Sequence, residues 1–511
     1  MKRMPTVIYN HLSNRIYSGV RYLRVQSMKW PAAFGMLVLA GVAGCGSLYR
    51  PVINPVTKTG PAAQPLTYVA VFSQPGLMQA SASATAPPCP SQAYANPGVV
   101  TVVDAAGDSV SALATLGNGP LTFALDSNGF DAFSENCDGT LSAAGISESL
   151  MSRDVATSTL LPGSVPVNAL AFSGQQYIVE EGRNAVAAMS GNPPALKVDV
   201  TNVAPSVINL TGIPNAQRVY AISQGNTLSA AGDIRWGTCA NPSSVTVNGE
   251  ADGIETASDA ISSRVPLGVC PVFGVTSADG NRSFILNRGS GTITVINDQL
   301  NQLDTVNASP YLNGTATINL CNGATPCNAG PVHADFYTPG SLLVVANYDN
   351  DTVSVIDTSL DIYGNDNATF GKVLATIPVG HEPAAVSVLQ DGSKAYVANE
   401  GDGTVSVISL TSFQLLKTIQ LAPVEDPTNA GAMVQPRVRS ITSVYNYPAG
   451  SVFVAAQNSP YITVIRTDTD DITARILVQG EVVDLHTSTQ YAGRTNANGQ
   501  YDSRSVGSGV P

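Results

Sequence analysis

"YVANEGDGTVSVI", residues 396–408, sets two β-branched runs on either side of a glycine-rich corner. The chain writes nearly the same phrase as "VVANYDNDTVSVI" at 344–356 and as "FILNRGSGTITVI" at 284–296. One copy would be a hairpin. Three copies, spaced by 60 and 52 residues, mark a repeated structural unit. Within the phrase, Val405 and Val407 point to one face of a strand, and Thr404, Ser406 and Ile408 to the other. Neither face is charged, as expected of a strand covered on both sides. The corner Glu400-Gly401-Asp402-Gly403 supplies residues that tolerate positive φ, and Asn399 is placed to hydrogen-bond the turn backbone with its side chain.

The fullest unit runs "PAAVSVLQDGSKAYVANEGDGTVSVISLTSFQLLKTIQL", 383–421. It reads as strand A from Pro383, an Asp391-Gly392 hairpin turn, strand B at Tyr396, strand C at Thr404 and strand D at Leu415. The proline that opens strand A recurs at Pro120, Pro166, Pro205, Pro271, Pro331, Pro383 and Pro436. Periods of about 40 to 60 residues with four strands each predict a β-propeller. At the start, "TYVAVF" (67–72), "VVTVVD" (99–104) and "VSALATL" (110–116) supply strands B, C and D without an A; at the end, "GEVVDLH" (480–486) supplies an A without a sequel. Joined, they complete a blade and close the ring, which leaves no sheet edge open at the seam. The expected fold is therefore all-β: four-stranded antiparallel blades, eight by motif count, with seven the alternative because the unit at 205–268 is degenerate.

Tyr396-Val397-Ala398-Asn399 followed by "GTVSVI", and "TIPVGHEPAAVSVLQDGSKAYVAN" (376–399), resemble the YVTN-type propeller repeat. The match is good over roughly 270–480 and weaker over 67–269; it departs at Phe453-Val454-Ala455-Ala456 and at Tyr177-Ile178-Val179-Glu180. The resemblance implies a propeller, seven-bladed in many members, at the cell envelope or surface. Its motif residues are structural, so it brings no catalytic residues.

Charged residues make up 12% of the 511, about half the ~25% of ordinary soluble domains. The first 44 residues hold six of the 25 basic residues and no Asp or Glu, so residues 45–511 carry 19 basic against 37 acidic residues. A surface that acidic repels phosphate backbones, and nucleic acid is not an expected partner. "PAAFGMLVLAGVAGCG" places an apolar run, Pro31 to Gly44, after a basic lead and before Cys45. The run is shorter than the ~20 residues of a membrane-spanning helix and has the length of a signal-peptide core. Val42-Ala43-Gly44 before the cysteine resemble a bacterial lipobox, which implies acylation of Cys45, cleavage before it and anchoring in a lipid bilayer. Gly46 after it resembles lipoproteins sorted to an outer membrane, where the cell has one. A start at Met28 would give a more compact leader than Met1. The expected organisation is a signal peptide at 1–44, a Pro-rich tether at 45–66, one propeller at 67–486 and a loose polar tail at 487–511.

Beyond Cys45 there are six cysteines: Cys89, Cys137, Cys239, Cys270, Cys321 and Cys327. An even number in an exported chain points to disulfides. Cys321 with Cys327 forms a local pair, the alternative being two zinc ligands of an incomplete set; Cys89 and Cys137 fall in B-to-C loops of neighbouring blades, and Cys239 with Cys270 remains by elimination.

Function is less legible. B-to-C and D-to-A connections share one face of a propeller, and the long stretches 73–98 (B-to-C) and 309–330 (D-to-A) decorate that face. His333, Asp335, His381 and Glu382 lie on or beside strands A of adjacent blades, with Arg437 and Arg439 further on. Imidazole beside carboxylate can bind a divalent metal or move a proton, so these six form a candidate ligand site at the channel mouth. The competing expectation is that the histidines only satisfy turns and packing. The acidic turns at 347–352 and 468–473 lack the spacing of a calcium loop, and no G-x-S-x-G, H-E-x-x-H, Walker or dinucleotide motif occurs. Sequence reading thus favours a non-catalytic anchored module that binds a protein or envelope polymer, with a metal-assisted lactonase or other hydrolase as the alternative.

Overall fold

The computed structural model describes residues 68–76 and 96–487, apart from short internal stretches of which 126–130, 146–155, 213–216, 227–235 and 445–449 are the longest. Cys45 and Cys89 lie outside the described residues, as do the leader, tether and tail.

Eight antiparallel sheets of four strands succeed one another along the chain. Blade 1 comprises Pro120–Leu125, Asp131–Asn136, Thr140–Gly145 and Ala156–Thr159. Blade 2 comprises Pro166–Phe172, Gln175–Glu180, Ala185–Ser190 and Ala195–Val200. Blade 3 comprises Val207–Thr211, Arg218–Ser223, Asn248–Glu255 and Ala260–Val269. Blade 4 comprises Pro271–Thr276, Arg282–Asn287, Thr292–Asn297 and a split outer strand, Gln302–Leu303 with Thr317–Asn319. Blade 5 comprises Pro331–Tyr337, Leu342–Asn347, Thr352–Asp357 and Val373–Pro378. Blade 6 comprises Pro383–Val388, Lys394–Asn399, Thr404–Ser409 and Gln414–Gln420. Blade 7 comprises Val438–Val444, Ser451–Ala456, Tyr461–Arg466 and Ile472–Leu477. In blade 8 the last strand of the chain, Glu481–Thr487, is innermost and pairs with the first, Tyr68–Gln74, which continues to Val99–Asp104 and Ser109–Thr115. The degenerate unit is therefore a true blade, and the count is eight.

The repeat phrase is explained by two contacts. Asn399 Nδ2 donates to Thr404 Oγ1 and Ser406 Oγ, both at 2.9 Å, and Asn136, Asn287 and Asn347 make the same pair of bonds in blades 1, 4 and 5. The asparagine thus grips hydroxyls of the next strand, where the sequence suggested turn backbone. The tyrosine works at the opposite end of the strand. Tyr177, Tyr220 and Tyr396 reach Asp259, Asn301 and Asp470, each in the C-to-D turn of the following blade and each at positive φ. Between these ends the strands bury Val, Ile and Ala on both faces: Val405 and Val407 pack toward blade 7, and Ile408 toward blade 5.

Each innermost strand carries one β-bulge, at Pro120/Thr122, Pro166/Asn168, Val207/Asn209, Pro271/Phe273, Pro331/His333, Pro383/Ala385, Val438/Ser440 and Val482/Asp484. The residue after the bulge often serves the next blade. Asn168 accepts the Leu210 N–H at 2.9 Å, Asn209 the Gly274 N–H at 3.1 Å, His333 the Val386 N–H at 3.2 Å and Ser440 the Leu485 N–H at 3.3 Å. Innermost strands have an unpaired edge toward the channel, and these side chains satisfy donors that would otherwise be buried without partners.

Candidate functional site

Strand direction divides the disc into two faces. The upper face, where B-to-C and D-to-A connections lie, holds 75–98, 224–247, 320–330 and the hairpin of Val424–Glu425 with Met433–Val434. The lower face has one long described excursion, 358–372. The sequence-based expectation is corrected at two points. Residues 317–319 belong to the outer strand of blade 4, so only 320–330 is a D-to-A loop; and the long B-to-C insertion of blade 3, 224–247, was not foreseen.

That insertion folds onto the ring. Cys239 is disulfide-bonded to Cys270, and Gln224 Nε2 donates to the Trp236 carbonyl at 2.8 Å. Arg288 of blade 4 lies over the rings of Trp236 and Tyr348, at 4.8 and 5.0 Å, while pairing with Asp349 at 2.7 Å and donating to the Cys239 carbonyl. Cys321 and Cys327 form the expected local disulfide. Cys137 is also disulfide-bonded, while Cys89, expected as its partner, lies outside the described residues.

The six candidate residues fall into two groups. His333 and Asp335 belong to the channel wall. His333 accepts the Val386 N–H through Nδ1, which places its proton on Nε2, and its ring lies 4.7 Å from that of Phe273. It keeps some surface toward the channel, yet protein surrounds it so closely that burial, helped by nearby His486, lowers its pKa to about 3. Asp335 Oδ2 accepts the Val388 N–H at 2.8 Å and Oδ1 that of Phe336. Both act as edge-strand acceptors. His486, in blade 8, lies 3.4 Å from Asp484.

His381, Glu382, Arg437 and Arg439 gather at the upper mouth around the blade 6 turn, 400–403. His381 is exposed; its Nδ1 lies 3.0 Å from Asp351 Oδ1, and that hydrogen bond raises its pKa. Its backbone N–H donates to Asp402, and the Glu382 N–H donates to Asp351 at 2.9 Å. Asp351 and Glu382 both adopt left-handed backbone, with φ of 58° and 54°. Gly401 permits the close approach: a Cβ there would stand 2.5 Å from His381 Cδ2. On the other side of this glycine, Arg439 donates Nε to Glu400 Oε1 at 2.8 Å with an Nη2 contact of 2.7 Å, and Arg437 Nε lies 3.6 Å from the same oxygen. Glu400 is buried; Arg437 is exposed. Among the described residues no group of three or more His, Cys, Asp or Glu has the geometry to hold a metal ion.

The acidic turns considered for calcium are spent in ion pairs: Asp349 with Arg288, Asp468 with Arg466, Asp470 with Lys394 and Asp471 with Lys417. One group escaped sequence reading. Glu135, directly across from Thr122 in blade 1, is fully buried, and neither carboxylate oxygen has a hydrogen-bond partner among the described residues. Burial holds its pKa well above the usual carboxylate value. An acidic residue at a position where neighbouring blades carry Val179, Ile222 and Leu286 was the available signal.

No family model and no curated protein sequence matches the chain. Among solved structures it is similar to apo AztD from Citrobacter koseri, at 14% identity and a TM-score of 0.51, covering 82% of this chain and 97% of that one. It is likewise similar to the dihydro-heme d1 dehydrogenase NirN in complex with DHE, at 11% identity and a TM-score of 0.52, covering 84% and 76%. What they share is the β-propeller. At these identities the likeness is one of fold alone, and no family is assigned by it. No helix among the described residues is long and apolar enough to cross a membrane.

Proposed function

We propose that the protein is an exported lipoprotein, anchored through acylated Cys45, whose propeller offers its upper face to a protein or envelope polymer. The observation that carries this reading is where the chain enters and leaves the ring. Tyr68 pairs with Asp104 and Val69 with Thr487, so the first and last strands both meet the lower face, opposite the four upper excursions. A tether on Cys45, N-terminal to Tyr68, therefore reaches the disc from its plainer side and leaves the decorated side open to a partner. Acidic composition and the basic-then-apolar leader support export and argue against nucleic acid.

The hydrolase alternative needs imidazoles available to a metal or a proton. His333 has given its Nδ1 lone pair to the Val386 N–H, and His381 turns its Nδ1 to Asp351, so the geometry favours binding. Photo-crosslinking in cells tests the proposal. A crosslinker at Arg437 or Met433 on the upper face is expected to capture a discrete partner that one at Asp391 or Leu300 on the lower face does not. Equal capture from both faces would refute it, as would a mature protein lacking acyl chains on Cys45.

A further inference from the structure

Seven of the eight innermost strands carry an apolar residue at the centre of the bulge: Leu121, Val167, Ile208, Val272, Val332, Ala384 and Val483. Blade 7 carries Arg439 instead. The fold does not require a cation there, since seven blades form the same bulge without one. Arg439 also differs from the other arginines in the company it keeps. Arg183, Arg218, Arg264, Arg282, Arg288 and Arg466 each pair with one or two carboxylates of their own. At the upper mouth two guanidiniums, Arg437 and Arg439, converge on the single oxygen Glu400 Oε1.

Arg439 is bonded to that oxygen twice and is nearly buried, so it is oriented in advance. Arg437 stands 59% exposed with its Nε 3.6 Å away, an ion pair without a hydrogen bond, so its planar fork of donors faces solvent. The carboxylates of Asp351, Glu382 and Asp402 lie on the other side of Gly401, where Asp351 and Asp402 hold His381. The guanidinium side is thus a local positive spot on a chain with net charge −12, presented on the face that carries the insertions.

We propose that Arg437 and Arg439 form a subsite for a carboxylate group carried by the partner. The fork of Arg437 takes the carboxylate in the bidentate manner usual for guanidinium, and Arg439, fixed by Glu400, supports it from below. This rests on the upper-face reading above and adds the chemistry of what that face grips: an acidic peptide or polymer. No covalent step is involved.

Polarisation of a fluorescein-labelled hexaglutamate peptide on the purified full-length mature protein tests this, with glutarate and inorganic phosphate as competitors. Saturable binding that weakens with salt and is displaced by glutarate is expected. Arg437→Gln should weaken it about tenfold, the loss of one charge-assisted bidentate contact. The double variant Arg439→Leu/Glu400→Gln restores the apolar pattern of the other blades and should abolish it, while Arg264→Gln, an exposed arginine of blade 3, should change nothing. Absence of saturable binding, unaltered binding by Arg437→Gln, or phosphate displacing the peptide better than glutarate would overturn the proposal. Peptide binding by these residues together with in-cell crosslinks spread over both faces would keep the subsite and reject the upper-face partner; upper-face crosslinks without peptide binding would do the reverse.

Discussion

Replacing Glu135 with glutamine should change how stability depends on pH. The carboxyl is fully buried in the wall between blades 1 and 2, and both oxygens lack a partner among the described residues. Burial dominates its titration and raises its pKa; a hydrogen bond from its own backbone N–H offsets this only in part. For an acid whose native pKa is raised, the folded state holds its proton after the unfolded chain has released it. Its contribution is therefore intact below the unfolded pKa of about 4.5 and is lost as pH rises toward the native pKa. The slope approaches ~1.4 kcal/mol per pH unit, so the interval from pH 5 to 7 costs up to about 2.7 kcal/mol. Glutamine cannot ionise, and Glu135→Gln should gain on the wild type by that amount across the interval. Glu181 and Glu481, raised to about 7, and Asp298, raised to about 8, tilt both proteins alike, so the difference between them isolates position 135. Equilibrium urea unfolding of both proteins at pH 5, 6, 7 and 8 is the assay. A stability difference that is the same at pH 5 and pH 8 would refute the reasoning.

Three further predictions concern the ring. His333 has a lowered pKa of about 3, so it costs stability as pH falls below the unfolded value near 6.5; His333→Asn, which restores the acceptor used by Asn168 and Asn209, should flatten that acid limb, whereas His333→Ala should cost about 1–3 kcal/mol by stranding the Val386 N–H. Urea midpoints at pH 4 and 7 check both variants. Asn399→Ala deletes two buried hydrogen bonds and should cost about 2 kcal/mol in the same assay, with Thr404→Val recovering none of it. Cys239→Ser/Cys270→Ser opens a loop of sequence separation 31 and should cost ~3–4 kcal/mol, with protease cleavage appearing first within 224–247.

The propeller was readable because its grammar is local. Asn399, Thr404 and Ser406 stand within one hairpin and hydrogen-bond one another there, so the same spacing recurs wherever the unit does. The seam was readable because Tyr68–Gln74 and Glu481–Thr487 each lacked the partner the other supplies. Blade 3 was obscured because 224–247 separates two strands that are adjacent elsewhere, and blade 4 because its outer strand is interrupted. The candidate site was only half legible. His381, Glu382, Arg437 and Arg439 do meet, since all four flank one turn. His333 and Asp335 looked available because sequence shows no edges: their acceptors are taken by Val386 and Val388 of the next blade, contacts that exist only once blades stand side by side. Aligning Asn168 with His333 two residues after Pro166 and Pro331 held the clue.

The central claim is that the chain's two ends build one blade together and thereby close the ring. Two truncations measured by thermal melting test it directly. Ending the chain after Thr487 keeps every strand and should leave the melting transition unchanged; ending it after Gly480 removes the innermost strand of blade 8 and should abolish cooperative melting or cause aggregation. A protein ending at Gly480 that melts like the full chain would contradict the account.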